Sequence, residues 1–216
     1  MGSLVLGLGL LYSQIFHQPF KEYVSFIAAG LLAWQFLSGM VLDSTNVVME
    51  AEPHLRALPL PLPLFAARMV LRNLIIFGHN LVVVMLMLLY FQHSVSFVTL
   101  LAVLGVALYA IAGFAVALIL GPLSARFRDI PQVIANVVQL AFFLTPIFWK
   151  AGQLRPNNPA IAFNPFFHFV QLVRQPLLGI APSLTNWMVA ILITVLLLVC
   201  AFLTLAYTRR KIFLWL

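Results

Sequence analysis

The chain has 216 residues, 63% of them hydrophobic and 8% charged, with a formal net charge of +7. Its mean hydropathy is +1.08, whereas soluble domains carry about 25% charged residues, so there is too little polar surface to coat a water-soluble globule and the bilayer is the expected solvent. The positive charges fall in short clusters between apolar runs and read as membrane topology, with no call for nucleic acid as a partner. The lone Cys200 excludes an intrachain disulfide or cysteine metal site.

Crossing about 30 Å of hydrocarbon takes roughly 20 apolar helical residues, against about 10 strictly alternating ones in a barrel strand. The apolar runs here are long and unbroken. The expected fold is therefore all-α, an integral membrane helical bundle in which each segment pairs its own backbone.

The first apolar run, 2–16, is short for a span and lacks the basic stretch and small-residue cleavage site of a signal peptide. It reads as a first helix whose beginning is missing. After a polar break, the second run covers 23–48. Pro53, Pro59, Pro61 and Pro63 then punctuate 50–63 and predict an extended segment that does not span. The third and fourth runs, 64–91 and 97–120, lead to a tight basic turn at 124–129 and a fifth run, 130–149. Within 150–182 lies one short helix, capped by Asn164, with Pro165 in its first turn and Gly179 just past its end. At about 14 residues it is too short to span, so an interfacial or re-entrant helix is expected; it carries His168 and Arg174. The last run, 187–207, precedes Arg209, Arg210 and Lys211.

Counting lysine and arginine orients the bundle. With the loop 50–63, the turn 124–129 and the C-terminus on one side, that side holds Arg56, Arg68, Arg72, Arg126, Arg128, Arg209, Arg210 and Lys211. The other side holds Lys21, Lys150, Arg155 and Arg174. The richer side is expected to be cytoplasmic, which gives six spans with both termini inside.

Polar residues within spans are costly, about 2.5–3.5 kcal/mol for a charge at mid-bilayer. At 100° per residue, Gln132, Asn136, Gln139 and Phe143 fall within about 60° of one another on the fifth helix. That stripe faces either another helix or a hydrophilic substrate. Arg68 and Arg72 sit near the cytoplasmic end of the third helix, as anchors or as a basic mouth for a phosphate headgroup, which guanidinium binds bidentately; Arg126 and Arg128 could join it. Asp43, Asn46 and Glu50 share a face at the end of the second helix and are expected to pair with Arg68 or Arg72. Gly113, Ala117 and Gly121 form a small-residue row for close packing. Tyr23, Trp149 and Trp187 read as interface aromatics, and Phe142, Phe143, Phe148 and Trp149 as surfaces on which sugars stack. No phosphate-binding loop, zinc-protease or serine-hydrolase motif is present, and the histidines show no metal-ligand spacing.

Several segments together resemble the permease subunit of ABC exporters that move O-antigen, capsule or teichoic-acid chains. They are residues 51–61 (AEPHLRALPLP), 72–80 (RNLIIFGHN), 126–132 (RFRDIPQ) running into 142–149 (FFLTPIFW), the Asn164-Pro165 helix and the basic end. The resemblance implies one permease domain over 1–216 that works as a homodimer in a bacterial inner membrane, with no cofactor of its own. ATP and magnesium would bind on a cytoplasmic ATPase partner, which docks on Glu52, Pro53, His54, Leu55 and Arg56. The cargo would be a polysaccharide on a polyprenyl pyrophosphate lipid. Gln132, Asn136, Gln139, Phe143, Phe148 and Trp149 would line its path, and Arg68, Arg72, Arg126 and Arg128 would meet the pyrophosphate. Such permeases begin with a basic interface helix and a full first span, whereas this chain starts partway into that span. The rival readings are an exporter of a drug or lipid, an intramembrane enzyme acting on lipid-linked sugars, and a non-transporting scaffold.

Overall fold

A computed structural model describes residues 2–15, 19–57, 60–91, 96–149 and 159–208. Among these every regular element is helical: α1 (Gly2–Ile15), α2 (Phe20–Ser44), α3 (Val47–Ala57), α4 (Leu62–Tyr90), α5 (Leu101–Arg126, entered through a 3₁₀ turn at Phe97–Leu100), α6 (Ile130–Leu144), α7 (Pro159–Ala162), α8 (Pro165–Leu177) and α9 (Leu184–Thr208). The protein is a helical membrane bundle. Four helices, α2, α4, α5 with its 3₁₀ turn, and α9, are long and apolar enough to cross a bilayer.

Of the six expected spans, the first is short as its run 2–16 suggested, and the fifth, expected over 130–149, is helical only over Ile130–Leu144. α1 and α6 have 14 and 15 residues, about 21–23 Å at 1.5 Å per residue, which is less than a hydrocarbon core. α6 stops at Leu144 because Pro146 disfavours helical geometry in the residue before it, and Thr145 is extended with φ −92° and ψ 130°. The segment 50–63 also departs from expectation, because Val47–Ala57 is helical with Pro53 inside it. One lost backbone bond is outweighed there by burial of Val47, Val48, Ala51 and Leu55, which form one helical face packed on α4 and α5. Pro63 lies in the first turn of α4, where a missing N–H costs nothing.

α2 forms the core, buried along most of its length, with Ala28, Ala29, Leu32 and Ala33 inaccessible to solvent. By contrast α4 and α9 present apolar faces outward, Leu71, Ile75 and Leu86 on one, Leu192, Leu196 and Phe202 on the other, as lipid-facing helices must. α5 packs on α2, α4, α8 and α9. The expected small-residue row lets it do so, since a Cβ on Gly113 or Gly121 would come within 2.7 Å of Met40 Sδ or 3.1 Å of Val48 Cγ2.

Gly105 is the stricter position, because its Cβ would lie 2.7 Å from the backbone oxygen of Leu172 in α8. A backbone atom cannot swing aside as the Met40 side chain can. Gly105→Ala should therefore lower stability by about 1–3 kcal/mol despite the better helix propensity of alanine, and Gly113→Ala should cost less. Thermal melts of the detergent-solubilised variants check this, and equal melting temperatures for the two would contradict it.

The connections define two ends of the bundle. One gathers α3, the start of α4 and the α5–α6 turn. The other gathers the start of α2, the end of α6, and α7 and α8.

Candidate functional site

α6 carries the candidate site. Pro131 occupies its first turn, and Ile130 N donates to Phe127 O at 3.1 Å in the turn that precedes it. Val138 and Ala141 are buried against the bundle, with Ile134 and Phe142 half-buried beside them. Gln132, Asn136 and Gln139 are exposed on the opposite side, and Phe143 is 68% exposed. Gln132 Nε2 donates to Asn136 Oδ1 at 3.4 Å. The stripe thus faces away from the other described helices of this chain. Amides turned toward hydrocarbon cost several kcal/mol each when unpaired, so such a face is better suited to a polar surface than to lipid.

Beyond the stripe, the turn 145–148 is held by side chains from three other elements. Thr145 Oγ1 donates to Ala141 O at 2.7 Å, prolonging α6 by its side chain. The Asn164 amide reaches back to Thr145 Oγ1 at 3.1 Å, while its Oδ1 caps α8 by accepting from Phe166 N at 3.0 Å and Phe167 N at 3.3 Å. The cap read from the sequence is present, and Gly179, at φ 77°, closes the other end of α8. Tyr23 Oη donates to Phe148 O. Tyr23 is only 1% exposed, so this aromatic lies in the core and not at the interface. Phe148 also turns inward: it stacks on Tyr12 at 5.5 Å and meets Phe142 edge-on at 5.2 Å, and Phe142 in turn touches Trp34. Of the aromatics at this end of α6, Phe143 faces outward and Trp149 is half-buried.

Sequence reasoning counted Arg174 only for topology, yet it organises this end. It is 2% exposed; its Nη1 donates to Pro146 O at 2.6 Å, its Nε to Gln171 Oε1 at 3.2 Å, and its guanidinium lies 4.4 Å above the Phe26 ring. Nearby, buried His168 bridges Ala162 O and the Asn186 amide, each at 2.9 Å. Its two ring nitrogens face oxygens, Nδ1 the Asn186 Oδ1 and Nε2 the Ala162 carbonyl.

At the opposite end, Arg72 pairs with Asp43 at 2.9 Å and Glu50 at 3.3 Å. The expected carboxylate–arginine network therefore forms through Arg72, and Asn73 joins it by donating to Asp43 Oδ2 at 2.8 Å. Arg68 is exposed and lines a pocket with Glu50 and Arg72. Arg126 and Arg128 are exposed in the α5–α6 turn, Arg126 lying 5.1 Å over the Phe127 ring. On α3, Pro53 and His54 are exposed, Glu52 is half-buried and Leu55 is buried. The side chain of Arg56, and residues 209–211, lie outside the described residues. Among the described residues, no three His, Cys, Asp or Glu side chains converge as metal ligands do.

No family model matches the sequence. Over 160 residues, 72% of the chain, it is 24% identical to the O-antigen export system permease protein RfbA of Myxococcus xanthus. The match spans 61% of that protein's length. In sequence the chain is thus similar to an O-antigen export permease, and its apolar helices fit a membrane permease.

Proposed function

We propose that this chain is the membrane-spanning subunit of an ATP-driven exporter that moves a polyprenyl-pyrophosphate-linked polysaccharide out of the cytoplasm. It acts as one permease domain, paired with a second copy in a bacterial inner membrane, with both termini cytoplasmic. Two ATPase subunits bind ATP and magnesium and dock on α3, where Leu55 anchors the helix, Pro53 and His54 are exposed and Glu52 is half-buried. Arg68, Arg126 and Arg128 meet the pyrophosphate; Arg72, already paired with Asp43 and Glu50, contributes from the edge of that network. The polysaccharide passes along Gln132, Asn136, Gln139 and Phe143 and leaves beside Phe148 and Trp149. No residue of the chain forms a covalent intermediate.

The observation that carries this reading is the outward amide face of α6, which gives a hydroxyl-rich cargo hydrogen-bonding partners where a lipid or drug path would be mainly apolar. The similarity to an O-antigen export permease supports it. Deleting the gene tests it: the surface polysaccharide should disappear while full-length lipid-linked glycan accumulates inside. Unchanged glycan on both sides would overturn the assignment in favour of a drug or lipid exporter.

A further inference from the structure

The flank of α4 beside α3 carries a groove of about 720 Å³, within the size range of small-molecule sites. Its floor is one helical stripe. Leu64, Arg68, Leu71 and Ile75 follow at i, i+4, i+7 and i+11, within about 60° of arc, and all four are exposed. His54 closes the α3 side, its ring centroid 6.0 Å from that of Phe65.

Apolar side chains facing out of a span are what lipid requires, but an arginine set among them needs a partner. Arg68 makes no ion pair among the described residues. Arg72, one turn on, is already met by Asp43 at 2.9 Å and Glu50 at 3.3 Å. Glu50 shares a smaller pocket with Arg68, yet its carboxylate is engaged by Arg72. No Asp or Glu lines the groove itself. The groove therefore offers one unmatched cation beside a continuous apolar wall, which complements an amphiphile with an anionic head.

We infer that this groove binds one phospholipid from the leaflet that meets α3, a lipid whose head carries a single phosphodiester charge. The phosphate accepts hydrogen bonds from the Arg68 guanidinium, which suits it bidentately, with His54 beside it. One acyl chain lies along Leu71 and Ile75. A single free cation matches a phosphodiester, whereas a pyrophosphate diester carries twice the charge, so the occupant is a resident lipid and not cargo. The site stands independently of the function proposed above; under that reading, the bound phospholipid is what the cargo's pyrophosphate displaces from Arg68.

Native mass spectrometry of the purified full chain, titrated with phosphatidylglycerol, tests the site. The wild type should retain one phosphatidylglycerol in preference to phosphatidylcholine. Arg68→Gln should lower that occupancy by about fivefold, the worth of one arginine at an anionic lipid surface, and Arg68→Lys should keep most of it. Ile75→Trp, which fills the groove and leaves the charge alone, should lower occupancy as well. Lys21→Gln, an exposed cation at the opposite end of the bundle, should change nothing. All these positions are exposed, so melting temperatures should stay at the wild-type value. Occupancy unchanged in both Arg68→Gln and Ile75→Trp, or phosphatidylcholine retained equally, overturns the site. Tighter retention of polyprenyl pyrophosphate than of phosphatidylglycerol at matched concentration overturns the resident lipid and gives the groove to the cargo. Failure of the gene-deletion test of export leaves these measurements unaffected.

Discussion

Replacing Arg174 with alanine is expected to destabilise the protein by about 1–3 kcal/mol, the range for leaving buried polar groups unpaired. The substitution strands the Pro146 carbonyl, removes the partner of Gln171 Oε1 and leaves a void beneath the Phe26 ring. Because the lost contacts join α8 to the end of α6 and to α2, the damage should extend beyond one side chain. Arg174→Lys should cost roughly half as much, since an ammonium retains the charge but cannot reach two acceptors and stack on a ring at once. Thermal melting in detergent, followed by size-exclusion chromatography, reads both variants. A wild-type melt for Arg174→Ala would show that the guanidinium carries none of the packing at this end.

The second large effect concerns function without folding. Changing Gln132, Asn136 and Gln139 together to leucine removes three exposed amides from a helix otherwise suited to lipid. Folding should be unaffected or improved, because no other described element of the chain packs on that face. Export should fall at least tenfold per folded permease, which needs only about 1.4 kcal/mol of lost stabilisation along the path. A matched control on α9, Val195→Leu with Val199→Leu, alters residues that face outward on an apolar helix and should leave export unchanged. Surface polysaccharide, normalised to permease in the membrane, distinguishes the two. Wild-type export by the triple variant would place the route elsewhere.

Much of the fold is legible in the chain because the bilayer imposes a simple rule: long apolar runs become helices. The limits of α2, α4 and α9 follow closely from it. Where prolines intervene, the reading is harder. Pro146 ends α6 early, while Pro53 sits within α3, and only the buried face of Val47, Val48, Ala51 and Leu55 decides which outcome prevails. Composition cannot weigh that face in advance, since its partners lie on α4 and α5.

The same limit applies to the site. Helical periodicity puts Gln132, Asn136, Gln139 and Phe143 on one side of α6, but it does not say whether that side looks inward or outward. The network around Arg72 was legible because acids and a base lie at matching ends of neighbouring helices. Arg174 left no comparable signal. Its principal partner is a backbone carbonyl, which every residue owns, and its ring partner, Phe26, is one of 19 phenylalanines in the chain. The same holds for Tyr23, whose hydroxyl also finds a backbone oxygen.

The central claim, that polysaccharide passes along the outward face of α6, is tested most directly by photo-crosslinking in living cells. A photoreactive amino acid at position 136 should form an adduct that carries the glycan, whereas the same probe at 195 on α9 should capture only lipid. Glycan adducts at 195 and none at 136, in cells that export normally, would contradict the account.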